Sequence, residues 1–360
     1  MDSEPDSPKT KRTRYECAAC YKQYKQREHL FEHIKGSFHS VHQPRCGVCK
    51  KHFMSFQSLR EHLTGEIYIG KAFCKTIFTE QGCHLCLKLF DSATSRSEHK
   101  NTCCLSAPTP VFTCLQGTTM MPCAESKSDI NLSNEDHVGG GLEAVALDCE
   151  MVWGGSDGSL DLCARVCLID EDENILFHTY VQPQIAVTNY RYEVTGLMEE
   201  HIRNAMPLEK VQEKILRILY SGKTKVLVGH NLDRDMDCLR FNYPDYLLRD
   251  TANYHPLMKT NLVSHSLKYL TQTYLGYEIQ SGSHDLYVDC VSVMRLYKRF
   301  RALDHEREGN RASVATTCAK DILESFESLK TTNLEEMAVN DLYEMSTPKY
   351  KCWCLDLVQT

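Results

Sequence analysis

Residues 146–152 read ALDCEMV. The run is apolar enough for a buried strand, yet it carries Asp148 and Glu150 two positions apart. In a strand, residues i and i+2 share one face about 6 to 7 Å apart. Two ionised carboxylates there repel by roughly 2 to 3 kcal/mol at an effective dielectric near 20. A divalent cation between them removes that penalty, and such a cation needs further acids from elsewhere in the chain. Alone, an Asp-x-Glu pair is more often a solvated strand edge.

The neighbouring pattern supplies the fold and the missing acids. VALDCEMV, LCARVCLID and NILFHTYV read as three strands joined by short polar turns, the start of an antiparallel sheet. Leu208, Val211, Ile215, Ile218 and Leu219 fall on one helical face ahead of Gly222 and the buried strand KVLVG. SHSLKYLTQTYLG reads as a second amphipathic helix stopped by Gly276, and DLYVDCVSVMRLYKRF as a long last one. Strand and helix units in that order predict an α/β sandwich around one mixed sheet. GHNLDRDMDCL, with Asp233, Asp235 and Asp237, sits at the carboxyl end of the KVLVG strand, where open α/β sheets place their sites. HDLYVD puts His284 in the loop before the last helix and Asp289 one to two turns into it.

ALDCEMV, LVGHNLDRDMD, LRDTANYHP, SLKYLTQTYLG and HDLYVD, in this order, resemble the motifs of the DEDDh 3′→5′ exonucleases, most closely the RNA exonuclease 4 and interferon-stimulated exonuclease branch. NYRYEVTGL at 189–197 is similar to that branch's YRxxVSGI segment. The resemblance covers residues 142–300 and implies an RNase H-like (DnaQ-like) domain with a mixed five-stranded sheet. It implies that Asp148, Glu150, Asp235 and Asp289 hold two magnesium or manganese ions and that His284 is the general base. Asp235 is preferred over Asp233 and Asp237 because it lies five residues after His230, as in the branch. The branch's His-Asn before that acid is replaced here by Asp233-Arg234, which leaves the two neighbours as alternatives. Met151, Arg191 and His230 are the candidate substrate contacts. The implied product is a 5′-mononucleotide released from a 3′ end.

Ahead of this domain the sequence repeats. Cys17-x2-Cys20-x12-His33-x5-His39, Cys46-x2-Cys49-x12-His62 and Cys83-x2-Cys86-x12-His99-x3-Cys103 give one geometry three times, that of a zinc knuckle followed by a helix that presents histidine. Tyr24 and Leu30, then Phe53 and Leu59, occupy the small-core positions of a ββα finger, whereas the third repeat has Phe90 but Arg96 in place of leucine. Cys74 is the candidate fourth ligand of the second module, and spacing does not decide between Cys103 and Cys104 in the third. The modules at 15–104 resemble C2H2 zinc fingers, and the wide His33–His39 gap is similar to the U1 and matrin type, which handles RNA. Fingers ahead of this domain resemble a plant-type member of the exonuclease group. Glu32, Glu61 and Glu98 at the sixth helix position argue against base reading in DNA. Phe31 and Phe56 are expected on finger surfaces, to stack on bases or a partner.

Charge is unevenly divided. Residues 1–104 hold 17 Lys+Arg against 11 Asp+Glu, and the rest of the chain 24 against 37. A polyanion is therefore expected to be gripped at the front. Residues 1–14, including PKTKRTR, read as a basic disordered tail or a nuclear localisation signal, too polar for a signal peptide. No run approaches the ~18 apolar residues of a membrane span. Nineteen cysteines in a chain expected to be intracellular read as metal ligands or reduced thiols. Residues 105–141 form a Pro, Thr, Ser, Asn and Gly-rich linker that should make the halves separable, with Cys114 and Cys123 as isolated thiols. Residues 301–360 are an acidic tail without a motif, whose KCWCLD suggests docking through Trp353.

The function expected is a nuclear or nucleolar 3′→5′ exoribonuclease in RNA processing, ribosomal RNA included, with a cytoplasmic setting as the alternative. A DNA exonuclease of repair and a non-catalytic zinc-finger RNA-binding protein are the competing readings. RNA is the expected partner ahead of DNA, with protein partners at the fingers or tail.

Overall fold

The computed structural model describes residues 14–17, 20, 22–37, 42–65, 72–111, 143–222, 225–303 and 351–357. His39, Cys114 and Cys123, the basic N-terminal segment up to residue 13, and most of the linker and tail lie outside the described residues. The chain divides into two compact units, residues 1–75 with 305–351 and residues 76–304 with 352–360.

In the first unit the leading module pairs β1 (Tyr15–Glu16) with β2 (Gln23–Tyr24) ahead of α1 (Arg27–Ser37). Leu30 is fully buried and the Tyr24 ring packs 5.1 Å from the His33 ring. The second module shrinks its hairpin to one bridge, Arg45 with His52, before α2 (Phe56–Thr64), whose start is capped by Ser55 accepting from the Ser58 N–H. Phe56 was expected on the surface, but it is buried with Leu59 and Leu63 on the inner face of α2. It fills the module's core, so it is removed from the candidate base-stacking residues.

Helix α3 (Ala72–Gln81) leads into the third module, whose bridge Gly82–Leu89 precedes α4 (Ala93–Cys103). This module belongs to the second unit, together with the α/β part. Arg96, the residue out of place in the repeat, donates to the carbonyls of Thr79 (3.0 Å) and Glu80 (2.6 Å). An arginine is wanted there because these are last-turn carbonyls of α3, which lack partners within the helix.

The α/β part is built on β3 (Ala144–Gly154), β4 (Leu160–Ile169) and β5 (Ile175–Gln182), an antiparallel meander. Short β6 (Val187–Asn189) pairs with the end of β3. Single-turn helices α5 (Tyr192–Thr195) and α6 (Glu199–Ile202) then lead to β7 (Met206–Pro207) and the crossover helix α7 (Leu208–Leu219). β8 (Val226–Gly229) is buried throughout, as a strand covered on both faces must be, and runs parallel to β3. After α8 (Leu232–Leu239), β9 (Leu248–Asp250) adds parallel to β8. Among the described residues the mixed sheet runs β7-β5-β4-β3-β8-β9 with β6 on β3, seven strands where the resemblance implies five. The two extra strands are two and three residues long, too short to leave a periodic signal.

The expected helix over SLKYLTQTYLG begins as α9 (Leu267–Leu270) and widens into a π-helical turn, Thr271–Leu275, closed by Gly276 at φ +91°. Helix α10 (Leu286–Arg301) packs on β3 and β4, with Asp285 capping its first N–H groups and Lys298, Arg299 and Arg301 facing the negative end of its dipole.

The end of the chain also belongs here. Trp353 is buried, stacked 3.9 Å from Tyr254, and Asp356 makes a buried two-pronged ion pair with Arg249 at 2.7 Å on both arms. Tyr297 donates to the same carboxylate at 3.0 Å. Residues 352–357 are therefore part of the α/β unit rather than a detached tail.

Candidate active site

Asp148 and Glu150 leave β3 immediately before a register shift between Glu150 and Met151, opposite Cys167 and Arg165 of β4. Asp235 comes from the first turn of α8 and Asp289 from the first turn of α10. Asp235 is buried, whereas Asp233 and Asp237 are exposed, so among the three acids it alone is turned inward. Arg234, in the altered pair, reaches across to Asp161 of β4 at 2.6 Å. The N-terminus of α8 is aimed by Asp250, whose carboxylate accepts from the N–H groups of Asn231 and Leu232 at 2.9 and 3.3 Å.

Burial and mutual repulsion dominate the electrostatics. Asp148 is held well above the usual carboxylate range by burial first and then by Asp289, Asp235 and Glu150. Asp235 is raised by burial, Cys238 and Asp250. Burial and Asp289 push Glu150 up to about 8, against the pull of Arg165 and Arg191. Burial lifts Asp289 to about 7, opposed by a hydrogen bond from Gln280 Nε2 to its Oδ2 at 2.9 Å. Oδ2 of Asp235 and Oδ1 of Asp289 are buried without a hydrogen-bond partner. Four neighbouring carboxylates, two of them with orphaned oxygens, are a poor stabilising device and a suitable oxygen donor set for hard divalent ions.

His284 stands at the rim with about a third of its side chain exposed, Nδ1 3.8 Å from Glu150 Oε1 and 4.0 Å from Asp289 Oδ2. Burial and Arg191 lower its pKa, which keeps the imidazole neutral and able to accept a proton near pH 7. Its loop is tied down by the His284 N–H donating to the Val194 carbonyl at 2.8 Å. Position 285 is an aspartate because it caps α10, receiving the N–H groups of Tyr287 and Val288.

Of the candidate substrate contacts, Arg191 lies over the exposed Trp153 ring at 5.3 Å and donates to the Met151 carbonyl at 3.3 Å, beside Glu150 and His284. His230 Nδ1 is hydrogen-bonded with the Thr251 hydroxyl at 2.9 Å, and burial lowers its pKa to about 4, so it meets any ligand as a neutral, oriented ring.

Among the candidate zinc ligands, the structure brings together Cys17, Cys20 and His33, then Cys46, Cys49, His62 and Cys74, then Cys83, Cys86, His99 and Cys103. In each set the ligand atoms lie within 4.8 Å of one another. Cys74 joins its set, and Cys103 rather than exposed Cys104 joins the third. Two thiol-rich sets of four and one of three with His39 undescribed have the donor chemistry of tetrahedral zinc.

Comparison with known proteins meets the same segment. Residues 145–297 match the sequence profile of the Exonuclease family. This span is an exonuclease-family domain. The chain is 35% identical to human RNA exonuclease 4 over 176 residues, 48% of this chain and 41% of that protein. It is 32% identical to the Gibberella zeae RNA exonuclease 4 over 55% of this chain and 60% of that protein, so it spans about half the length of the curated relatives it matches. A Saccharomyces cerevisiae Pan2 pseudoubiquitin hydrolase-RNA exonuclease module solved with AAGGAA RNA shares 24% identity and a TM-score of 0.40 over 46% of this chain and 30% of that chain, too distant to carry an argument.

Several residues of the exonuclease domain that shape the site escaped the sequence reading. Arg165 sits buried opposite Glu150, bonded to His178 at 2.9 Å. Gln280 on Asp289 and Asp250 under α8 are the others. Asp250 lay within a quoted motif and could have been found; Arg165 and Gln280 stand in no recurring pattern.

Proposed function

We propose that this chain is a metal-dependent 3′→5′ exoribonuclease that releases 5′-mononucleotides. The observation that carries the reading is the convergence of Asp148, Glu150, Asp235 and Asp289, two of them with partnerless buried oxygens, beside a neutral, partly exposed His284. Two magnesium or manganese ions held by these acids would supply positive charge to the scissile phosphate and lower the pKa of the attacking water. His284 takes the proton of that water at its ring nitrogen. Arg191 with Trp153 and the Met151 backbone borders the place where the terminal nucleotide lies, and His230, oriented by Thr251, is a further candidate contact. RNA is favoured over DNA because the relatives that match the domain are RNA exonucleases.

Zinc in the three Cys/His clusters would order the N-terminal modules. With their basic surplus the first two are read as RNA-recruiting, and PKTKRTR favours a nuclear setting in which structured RNA, precursor ribosomal RNA included, is processed. The test is a 5′-labelled single strand as RNA and as DNA of one sequence, in magnesium, in EDTA, and with the Asp148→Ala, Glu150→Ala double variant. A metal-dependent ladder on RNA that is absent in the variant is expected. Preferential cutting of DNA would favour a repair nuclease, and binding without cutting would leave a zinc-finger RNA-binding protein.

A further inference from the structure

The third Cys/His module does not face outward as an independent finger; its C-terminal end is fastened to the exonuclease domain. Arg299 of α10 donates to the Cys103 carbonyl at 2.5 Å, the Leu105 N–H to the Leu275 carbonyl at 2.9 Å, and Arg295 to the Ser106 carbonyl at 2.8 Å. Cys104 Sγ lies 3.9 Å from the Gly276 carbonyl oxygen. A Cβ at Gly276 would sit 2.8 Å from that sulfur, and the residue has φ +91°, so both space and backbone require glycine at the contact.

The segment held by this contact leads straight to the catalytic acids. From Gly276 it passes through Tyr277, whose hydroxyl is 3.1 Å from Ser292 Oγ, and buried Ile279 to Gln280. Gln280 has a left-handed backbone, φ +56°, and its amide is the hydrogen-bond donor on Asp289 Oδ2. The other oxygen of Asp289 has no partner in the structure. Gln280 therefore fixes which oxygen of the carboxylate is left to a metal. Helix α10 carries Asp289 near one end and Arg299 near the other, so both strands of the connection end on the module.

We propose that the third cluster, Cys83, Cys86, His99 and Cys103, is a structural zinc site of the nuclease itself, which sets the Gly276–Gln280 segment and makes Gln280 a positioning residue for the metal ligand Asp289. The coupling runs from zinc to the catalytic metal through packed backbone. A bare knuckle lets Cys103–Ser106 move, the Leu275–Gly276 contact loosens, and the Gln280 amide is no longer held on Asp289. The proposal rests on the exonuclease reading for where the catalytic ion binds, while zinc content and manganese affinity read it without turnover.

The test uses the full chain. Zinc per chain is measured by elemental analysis, manganese affinity by direct titration, manganese dependence by RNA cleavage, and folding by thermal melting. Gln280→Met keeps the length and removes the donor; it should weaken manganese binding about tenfold, in the range of supporting-shell changes at metal sites, with zinc content unchanged. Cys103→Ser should lose one zinc and weaken manganese binding to a similar degree. The double variant should be no worse than the weaker single one, because both act on one connection. Cys49→Ser, in the other unit, should lose its zinc and leave manganese affinity as it was. Should Cys103→Ser fail to fold, Arg299→Met, which spares every ligand, should show the same manganese shift. Unchanged affinity in Gln280→Met, multiplying effects in the double variant, or a Cys103→Ser protein that keeps its zinc would each overturn the proposal. A wild type that binds zinc and manganese with this coupling but cuts no RNA would overturn the nuclease function instead.

Discussion

Without its divalent ions the protein should lose stability as pH rises from 6.5 to 8. Glu150 is raised from an ordinary 4.5 to about 8 by burial and by Asp289. In the folded, metal-free state it keeps a proton that the unfolded chain has already released above pH 5. The folded state thus binds more protons, and stability present below the unfolded pKa is lost as pH climbs through the folded one. The loss is about 1.4 kcal/mol per pH unit for one such group, or about 2 kcal/mol across the interval. For a unit of this size that is roughly 4 to 8 °C of melting temperature. Asp289, raised to about 7, adds in the same sense over the lower half of the interval. The lowered histidines 178, 230, 265 and 284 act in the opposite sense, which is why the window starts at the ordinary histidine pKa. Thermal melts of dialysed protein at pH 6.5, 7.2 and 8, with and without magnesium, make the measurement. Magnesium should restore stability most at pH 8, where the acids are readiest to ionise. Glu150→Gln, which cannot titrate, should make the metal-free slope shallower while abolishing cleavage. Metal-free stability that is flat or rises across the window, or a slope untouched by Glu150→Gln, would refute the reasoning.

Other outcomes follow from single contacts. Asp356→Ala leaves Arg249 buried without its ion-pair partner and should cost about 3 to 5 kcal/mol, read as a lower urea midpoint; a loss near zero would place residues 352–357 outside the core. Asp235→Asn should abolish cleavage, whereas Asp233→Asn and Asp237→Asn, at exposed positions, should retain most of it in a single-turnover assay. His284→Ala should slow cleavage about 10²- to 10⁴-fold with little change in melting temperature, because the ring stands at the rim of the site, about a third exposed.

The acids were legible because metal chemistry dictates residue type, and four acids with a histidine in fixed order are rare by accident. The strands and longer helices were legible because their faces are half-buried and therefore periodic. What stayed hidden was held by single long-range partners. Asp356 meets Arg249 across 107 positions and Arg299 meets Cys103 across 196, and neither contact imprints a period on its own segment. Phe56 differs from the surface position that the finger alignment gives it, because here it is buried with Leu59 and Leu63 on one face of its helix. Arg96 looked like a damaged core residue and proved to cap the preceding helix.

The identity of the first product tests the central claim most directly. An RNA labelled only in its 3′-terminal nucleotide would be mixed with wild type, with and without magnesium, and with the Asp148→Ala, Glu150→Ala variant. The account predicts that the label leaves first, as a 5′-mononucleotide, only with the ion and only from wild type. Label appearing in longer fragments, as a nucleoside 3′-phosphate, or equally from the variant would contradict it.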